Sequence, residues 1–466
     1  MKIIYLLLFC FCGFSSAIAQ LWPQQIITNN ANGAYRAIPY DLNLDGYTDV
    51  ISGSLNGVGW YQNIDGIGTF GNEQIIDDSF VSYQYLNLHD LDMDGDMDIL
   101  YTIYPNGIGW LENVDGLGSF GQGRIIADTD YLYNMSATDI DGDGDLDVFA
   151  NLYHNSINNR LVWYENIDGL GNFSDENLIE IGDFYVSTLL NFDLDNDGDM
   201  DLITSYESYS PSQLIWYENI DGLGNFSSSQ EIFQFNYFSD WVSIYNLSHS
   251  DLNGDGKVDL IVETYHEDFT NTLVWLENLG QGNFDSPIFI DDTGYGNFES
   301  LIANDLDSDG DNDILITLYN SNSSPSIAWY ENSNSLGTFN NRRTISNQAI
   351  GARDATAADI NGDGKINIIS ASSLDNKIAW YQNGILGISE NKEANFTVHP
   401  NPTNNEIYIN SEVNIATITL FDNLGRKIKS LQNTKSMSFV ELQSGIYFIK
   451  ITNIEDASET LKVVKL

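Results

Sequence analysis

The 466-residue sequence holds two cysteines, Cys10 and Cys12, and none beyond them. Neither a disulfide framework nor a cysteine-held metal centre can therefore stabilise the body of the chain. Cations are scarce as well: 18 Lys and Arg stand against 67 Asp and Glu, a formal net charge of −49. Nucleic acid and anionic membrane surfaces would both repel such a protein. Beyond the N-terminus no uninterrupted apolar run reaches the roughly 18 residues that a spanning helix needs. Intrinsic disorder is excluded too, because hydrophobic residues make up 42% and there are 26 Tyr, 23 Phe and 9 Trp. The charge must be tolerated inside folded structure, and bound cations are the obvious means. The N-terminus itself, with Lys2, an apolar run from Ile3 to Phe14 and Ala17-Ile18-Ala19 before Gln20, predicts a secretory signal peptide over residues 1–19. Both cysteines fall in it, and neither follows the Leu-small-small pattern of a lipoprotein.

What the sequence has in quantity is a repeat. The pattern D-x-[D/N]-x-D-G-x-x-[D/N] begins seven times, at Asp41, Asp90, Asp139, Asp193, Asp251, Asp305 and Asp359. Each copy is followed 19 to 24 residues later by a tryptophan: Trp60, Trp110, Trp163, Trp216, Trp275, Trp329 and Trp380. Short apolar runs between Gly/Asn/Asp turns, recurring every 49 to 58 residues, predict a closed array of small sheets. In copy two, Tyr85–His89 reads as a strand, Asp90–Asp98 as a tight loop and Ile99–Tyr101 as a second strand. Trp110–Asn113 then reads as a third, Gly116–Phe120 as a Gly-rich turn and Arg124–Ile126 as a fourth. Four strands make one propeller blade, so the expected fold is all-β, a seven-bladed propeller.

Calcium takes six to eight hard oxygens, and alternate carboxylates of a loop converge on one point if the chain turns sharply at the sixth position. Glycine stands there in every copy: Gly46, Gly95, Gly144, Gly198, Gly256, Gly310 and Gly364. The candidate ligands are the odd positions, the seventh through its carbonyl. Loop one offers Asp41, Asn43, Asp45, Tyr47 and Asp49, and loop two Asp90, Asp92, Asp94, Asp96 and Asp98. Loop three offers Asp139, Asp141, Asp143, Asp145 and Asp147, and loop four Asp193, Asp195, Asp197, Asp199 and Asp201. Loop five has Asp251, Asn253, Asp255, Lys257 and Asp259, loop six Asp305, Asp307, Asp309, Asp311 and Asp313, and loop seven Asp359, Asn361, Asp363, Lys365 and Asn367. About six or seven calcium ions are expected, with loop seven the weakest site. An EF-hand is excluded by Ser52 and Tyr101 at the twelfth position of loops one and two, where a bidentate Glu is required, and by flanks that alternate like strands.

Over about residues 21 to 386 these motifs resemble the FG-GAP or VCBS repeats that build the seven-bladed propeller of integrin α-subunits and of many secreted bacterial proteins. The resemblance implies that the calcium loop joins the first and second strands of each blade. Asn43, Asn253 and Asn361 at the third position, and Lys257 and Lys365 at the seventh, depart from the pattern and lower the charge of those sites. No fourth strand follows Trp380-Tyr381-Gln382-Asn383, whereas Gln24-Gln25-Ile26-Ile27 precedes the first loop; the N-terminal strand is expected to complete the last blade. The repeated tryptophan, identical in every unit, suits packing between blades better than a sugar-stacking platform.

From Asn391 the repeat ends and charge balances, 8 Lys/Arg against 8 Asp/Glu. The runs Ile407–Ile409, Ile415–Phe421 and Ile446–Ile451 predict a small β-sandwich over residues 391–466, after a linker at 387–390. His399-Pro400-Asn401-Pro402, Leu420-Phe421-Asp422-Asn423-Leu424-Gly425-Arg426, Leu442-Gln443-Ser444-Gly445-Ile446-Tyr447-Phe448 and Lys462-Val463-Val464-Lys465 resemble the type A C-terminal sorting domain of the bacterial type IX secretion system. The resemblance implies that machinery as partner, and a propeller that is secreted or held at the outer surface.

No motif marks a catalytic nucleophile or base. The blade loops opposite the calcium loops are aromatic and vary between blades, as binding loops do. Tyr133, Tyr153, His154, Tyr206, Tyr237, Trp241, Tyr265 and His266 are the ligand-contact candidates, with Arg36 and Arg353 nearby. They suit a non-catalytic adhesion or glycan- or protein-binding surface. The alternative is a polysaccharide lyase using Tyr153-His154 or Tyr265-His266 to abstract a proton.

Overall fold

The structure, a computed structural model, describes residues 22–78, 85–103, 107–129, 131–153, 159–182, 186–206, 212–235, 242–266, 270–294, 298–319, 326–384, 396–411, 414–421, 427–432, 434–440, 442–453 and 458–466. The expected signal peptide and linker lie outside them. The chain forms two compact units, Met1–Ile385 and Leu386–Leu466.

The first unit contains, among the described residues, seven four-stranded antiparallel sheets. Blade one consists of Arg36–Tyr40, Asp49–Ser54, Gly57–Tyr61 and Gln74–Asp77, hydrogen-bonded in that order. The next five blades repeat it from first to last strand over residues 86–127, 131–182, 189–235, 242–294 and 298–346. Blade seven takes Ala352–Ala358, Asn367–Ser372 and Lys377–Tyr381, and its fourth strand is Gln24–Thr28, with Gln24 opposite Tyr381. Chain order implied this closure, and the structure has it: a β-strand edge is covered and the two ends of the array are tied together.

The second and third strands are buried on both faces because each blade is sandwiched between two others. Asp49–Ser54 and Gly57–Tyr61 are buried at every residue, whereas Gln74–Asp77 is half exposed. Seven apolar clusters sit at the seven joints between consecutive blades. Trp60 packs with Leu86 and Ile99 of blade two, and at the closing joint Trp380 of blade seven packs with Val50 and Tyr61 of blade one.

The tryptophans are thus inter-blade packing. Each lies on the Gly-rich turn of the next blade so closely that only glycine fits beneath it. A Cβ at Gly118 would stand 2.8 Å from the Trp60 ring, and one at Gly171 would stand 2.1 Å from that of Trp110. Blade seven lacks this turn, and there Trp22 joins the cluster of Trp329. The third strand of blade two is displaced from the sequence reading, Ile108–Leu111 instead of Trp110–Asn113, while the other three differ by a residue or so at an end. Asn113 leaves the ladder to bridge Phe120 and to accept the Gly118 N–H (3.0 Å).

The second unit has a three-stranded sheet of Thr397–His399, Glu406–Asn410 and Ser436–Ser438, and a four-stranded one of Lys427–Gln432, Ile415–Phe421, Gly445–Asn453 and Ser458–Lys465. Both contribute to one core that includes Ile407, Ile409, Leu420, Phe439 and Ile449, which makes the unit a sandwich. Asn401 clasps the final strand, donating from Nδ2 to the Lys462 carbonyl (2.7 Å) and accepting the Val464 N–H at Oδ1 (2.9 Å). Two sequence motifs more than sixty residues apart thereby meet.

Candidate functional site

Each acidic loop joins the first and second strands of its blade and holds itself open around its carboxylates. The first aspartate accepts the N–H of the sixth-position glycine in all seven, from Gly46 to Asp41 (2.8 Å) through Gly364 to Asp359 (2.8 Å). The fifth-position carboxylate accepts the N–H of the seventh residue in all seven. Glycine at the sixth position has φ between 79° and 104°, which a side chain would resist. The fourth position is left-handed too, including the non-glycine residues Leu44, Met93, Asn196 and Ser308.

Three carboxylates per loop come together in loops two, three, four and six. The oxygens of Asp90, Asp92 and Asp94 lie within 4.8 Å of one another, as do those of Asp139, Asp141 and Asp147, of Asp193, Asp195 and Asp197, and of Asp305, Asp307 and Asp313. Loops one, five and seven carry Asn at the third position. In loop five the Lys257 ammonium pairs with Asp255, so a built-in cation already sits on one ligand.

The ninth residue has a second task. Asp98, Asp147, Asp201, Asp259 and Asp313 are buried, and each accepts two backbone N–H groups: one from the loop's second residue and one from the Asn that ends Trp-x-x-Asn. In loop seven Asn367 reproduces the first of these bonds without charge, accepting the Ile360 N–H (3.0 Å). The Trp-x-x-Asn asparagine, read in the sequence only as a strand residue, reaches across the joint. Asn166 Nδ2 donates to the carbonyl of Leu91 in the preceding blade's loop (2.9 Å), and Asn63, Asn219, Asn278, Asn332 and Asn383 do the same to Ile360, Ile140, Leu194, Leu252 and Leu306. Its repetition at a fixed offset from tryptophan was the available signal.

Burial pushes these ninth-position carboxyls up, to about 7 at Asp98, Asp147 and Asp201 and to about 8 at Asp313, against the lowering effect of their N–H donors. Burial followed by neighbouring aspartates raises Asp96 and Asp145 to about 6. Oxygens of Asp90, Asp92, Asp96, Asp145, Asp195, Asp307 and Asp311 are shut off from solvent with no hydrogen-bond partner. Orphaned, mutually repelling hard oxygens fit a bound metal ion, which would satisfy them at once.

The other end of the blades is different. A cavity of about 870 Å³ opens where the first strands converge, lined from those strands by Arg36, Asn134, Asn246, Glu299 and Arg353, by Tyr85 just before the first strand of blade two, and from the turns between second and third strands by Leu55, Leu374 and Asn376. Arg36 pairs with the buried Asp354 (3.1 Å) and donates from Nε to the Leu86 carbonyl (3.3 Å). Arg353 pairs with Glu299 (2.7 Å) and lies 4.2 Å over the Tyr319 ring.

Of the eight candidate ligand contacts, His154, Tyr237 and Trp241 fall outside the described residues, and Tyr133 lies in the strand Tyr131–Thr138. Tyr153, Tyr206, Tyr265 and His266 stand at the far ends of second strands, away from the cavity lining. The Tyr206 phenol bonds that of Tyr217, and Tyr265 meets Tyr245 edge to face at 5.2 Å. His266 is buried with Nε2 between the hydroxyls of Thr264 (3.2 Å) and Thr272 (3.0 Å), beside a smaller cavity of about 470 Å³ that Phe233, Phe235 and Phe289 also line. The sequence placed these aromatics in loops, whereas Tyr153, Tyr206, Tyr265 and His266 are strand residues. Arg36 and Arg353 were named beside them, whereas Asn134, Asn246 and Ser300 were missed, although these three share with Arg36 the position five before the loop's first aspartate.

The sequence profile of the FG-GAP-like repeat matches residues 41–101, 90–150, 139–204, 251–316 and 305–370, and that of the secretion system C-terminal sorting domain matches residues 397–465. The latter implies contact with type IX secretion machinery and export to the cell surface or beyond. No helix among the described residues is long and apolar enough to cross a membrane. Comparison with curated proteins yields no match. Similar solved structures include an Agrocybe aegerita lectin described as recognising non-reducing terminal N-acetylglucosamine, at 16% identity and TM-score 0.48 over 68% of this chain and 81% of that one. The BBS1N–ARL6DN complex matches at 8% identity and TM-score 0.49 over 78% and 97%, and the Dos1 propeller at 8% and 0.45 over 78% and 94%.

Proposed function

The chain is a member of the FG-GAP-like repeat family, and on that premise we propose that the mature protein is an extracellular calcium-binding propeller that binds a glycan or protein partner without catalysis. The observation that carries this reading is the division between blade ends. One end repeats an acidic loop with the same hydrogen bond to its sixth-position glycine in every blade, and the other gathers different polar residues around one cavity. Six or seven calcium ions at the repeated end would hold the blade joints rigid, because the loop that takes the ion also takes the neighbouring asparagine.

His266 supports the non-catalytic reading, since a ring buried between two threonine hydroxyls is poorly placed to remove a substrate proton. Signal-peptide removal and passage through the type IX machinery would deliver the propeller. The test is a pair of measurements on the chain made with calcium. Uronate polysaccharides should give no rise in ultraviolet absorption from new double bonds; a rise would replace binding by lyase chemistry. Deleting residues 391–466 should leave cooperative melting intact while abolishing appearance at the cell surface and in the medium. Normal display of that truncation would remove the sorting role.

A further inference from the structure

We infer that the cavity at the convergence of the first strands is a saccharide site that takes an uncharged, hydroxyl-rich ligand, in which Arg36, Asn134, Asn246 and Arg353 supply the polar contacts. This rests on the binding reading above and names its ligand class and its residues.

The register of the blades singles out one position. Five residues before each loop's first aspartate stand Arg36, Tyr85, Asn134, Thr188, Asn246, Ser300 and Asp354, polar in every blade although the next residue along the strand is apolar throughout. Strand pairing places them alike: Arg36 lies opposite Gly53, Asn134 opposite Asn151, Asn246 opposite Glu263 and Ser300 opposite Thr317, four residues into each second strand. A packing position would repeat one residue type, as the tryptophan does. This one changes from blade to blade, and five of its seven residues line the cavity. Of the other two, Asp354 is buried behind Arg36, where it also accepts the Ala37 N–H (3.0 Å), and Thr188 donates to Ser205 (3.0 Å).

Charge decides the ligand class. The two cavity arginines are each cancelled by a fixed acid, Asp354 and Glu299, so the lining adds no net positive charge to a chain that carries −49. An anion would enter against that field and would have to displace an existing partner. The lining also offers both donors and acceptors. Arg36 and Arg353 use their Nη1 atoms in the ion pairs, and Asn134 accepts the Met135 N–H at Oδ1 (3.0 Å), which leaves its amide nitrogen to donate. Asn246 is the reverse: its Nδ2 donates to Glu263 (2.6 Å) and to the Phe298 carbonyl (3.1 Å), which leaves its oxygen to accept. Carboxylates and phosphates only accept, whereas a hydroxyl both donates and accepts. A volume of about 870 Å³ is of the size that holds a small ligand.

The experiment presents the full mature chain, with calcium, to an array of neutral and uronate-terminated oligosaccharides, and measures affinity for a bound neutral member by calorimetry. The expected result is binding of neutral sugars in preference to uronates, with affinity about tenfold weaker in Asn134→Ala and in Arg353→Gln at an unchanged melting temperature for Asn134→Ala. Preference for uronates overturns the proposal. So does neutral-sugar binding that neither variant weakens, which would move the site elsewhere and leave the binding reading standing. A chain that binds no sugar on the array overturns it as well, and if that chain also retains no protein of the producing cell's surface, the binding reading falls with it.

Discussion

The two ends of each blade are built from the same strands yet follow opposite rules. At the acidic end, seven loops share one hydrogen-bond pattern down to the glycine N–H that each first aspartate accepts. At the other end, equivalent positions carry Arg36, Tyr85, Asn134, Asn246 and Ser300, no more than two of them alike. Repetition marks what every joint needs, and variation marks what only one place in the ring needs. The acidic end is therefore expected to govern stability and the varied end recognition.

The largest expected effect comes from removing metal. At free calcium tenfold above Kd each occupied loop contributes about 1.4 kcal/mol, so a chelator should lower the melting temperature by roughly 10 °C or more, even though neighbouring sites need not add. An unchanged calorimetric melt in chelator would erase the distinction between the ends.

Next is a comparison of one residue type at both ends. Asn166→Ala removes the bond to the Leu91 carbonyl and the acceptor for the Gly171 N–H, and should destabilise by about 2–4 kcal/mol in denaturant titrations. Asn134→Ala, on the varied end, should stay within about 0.5 kcal/mol of the parent. Equal losses would show that the cavity residues are structural.

A smaller effect is the pH dependence of the chelator-treated protein. Burial raises Asp98, Asp147 and Asp201 to about 7 and Asp313 to about 8, above the roughly 3.9 of an unfolded aspartate. The folded state then binds more protons than the unfolded one between those values, so stability should rise as pH falls from 8 towards 5 and be lost again as pH climbs through 7 to 8. With calcium present the trend should reverse, because protons compete with the ion for the same oxygens. Identical pH profiles with and without chelator would separate the raised carboxyls from metal binding.

The smallest difference lies among the loops themselves. Calcium titration of Asp139→Ala should lose a tight site, whereas Asp359→Ala should change the titration least, because loop seven has only Asp359 and Asp363 as acids beside Asn361, Lys365 and Asn367. Loop five should rank low as well, with Lys257 resting on Asp255. Losses of equal size would mean that charge count does not set affinity here.

Period and composition alone carried much of this protein. A D-x-[D/N]-x-D-G loop every 49 to 58 residues determined the four-stranded unit, the number of units, the clustering of carboxylates at one blade end and, through the orphan strand at Gln24–Ile27, the way the array closes. These are local matters: a turn needs its glycine, a hard cation needs alternate carboxylates, and an unpaired strand needs an edge. The four sorting motifs were equally local, and they mark the second unit. The sequence marked the tryptophan as packing between blades, but only tertiary structure decided which residue of one blade meets which residue of the next. Nothing near Asn166 in the chain announces a bond to Leu91, 75 residues earlier, and nothing near Gly171 announces the Trp110 ring that forbids it a side chain. The cavity is of the same kind. Its lining comes from six blades, so Arg36, Asn134 and Arg353 become neighbours only when the ring closes, whereas Tyr153, Tyr206 and Tyr265, which drew attention in the sequence, end up at the far ends of second strands outside that lining. Residues brought together by closure share no sequence window, and their common task appears only once the blades have packed.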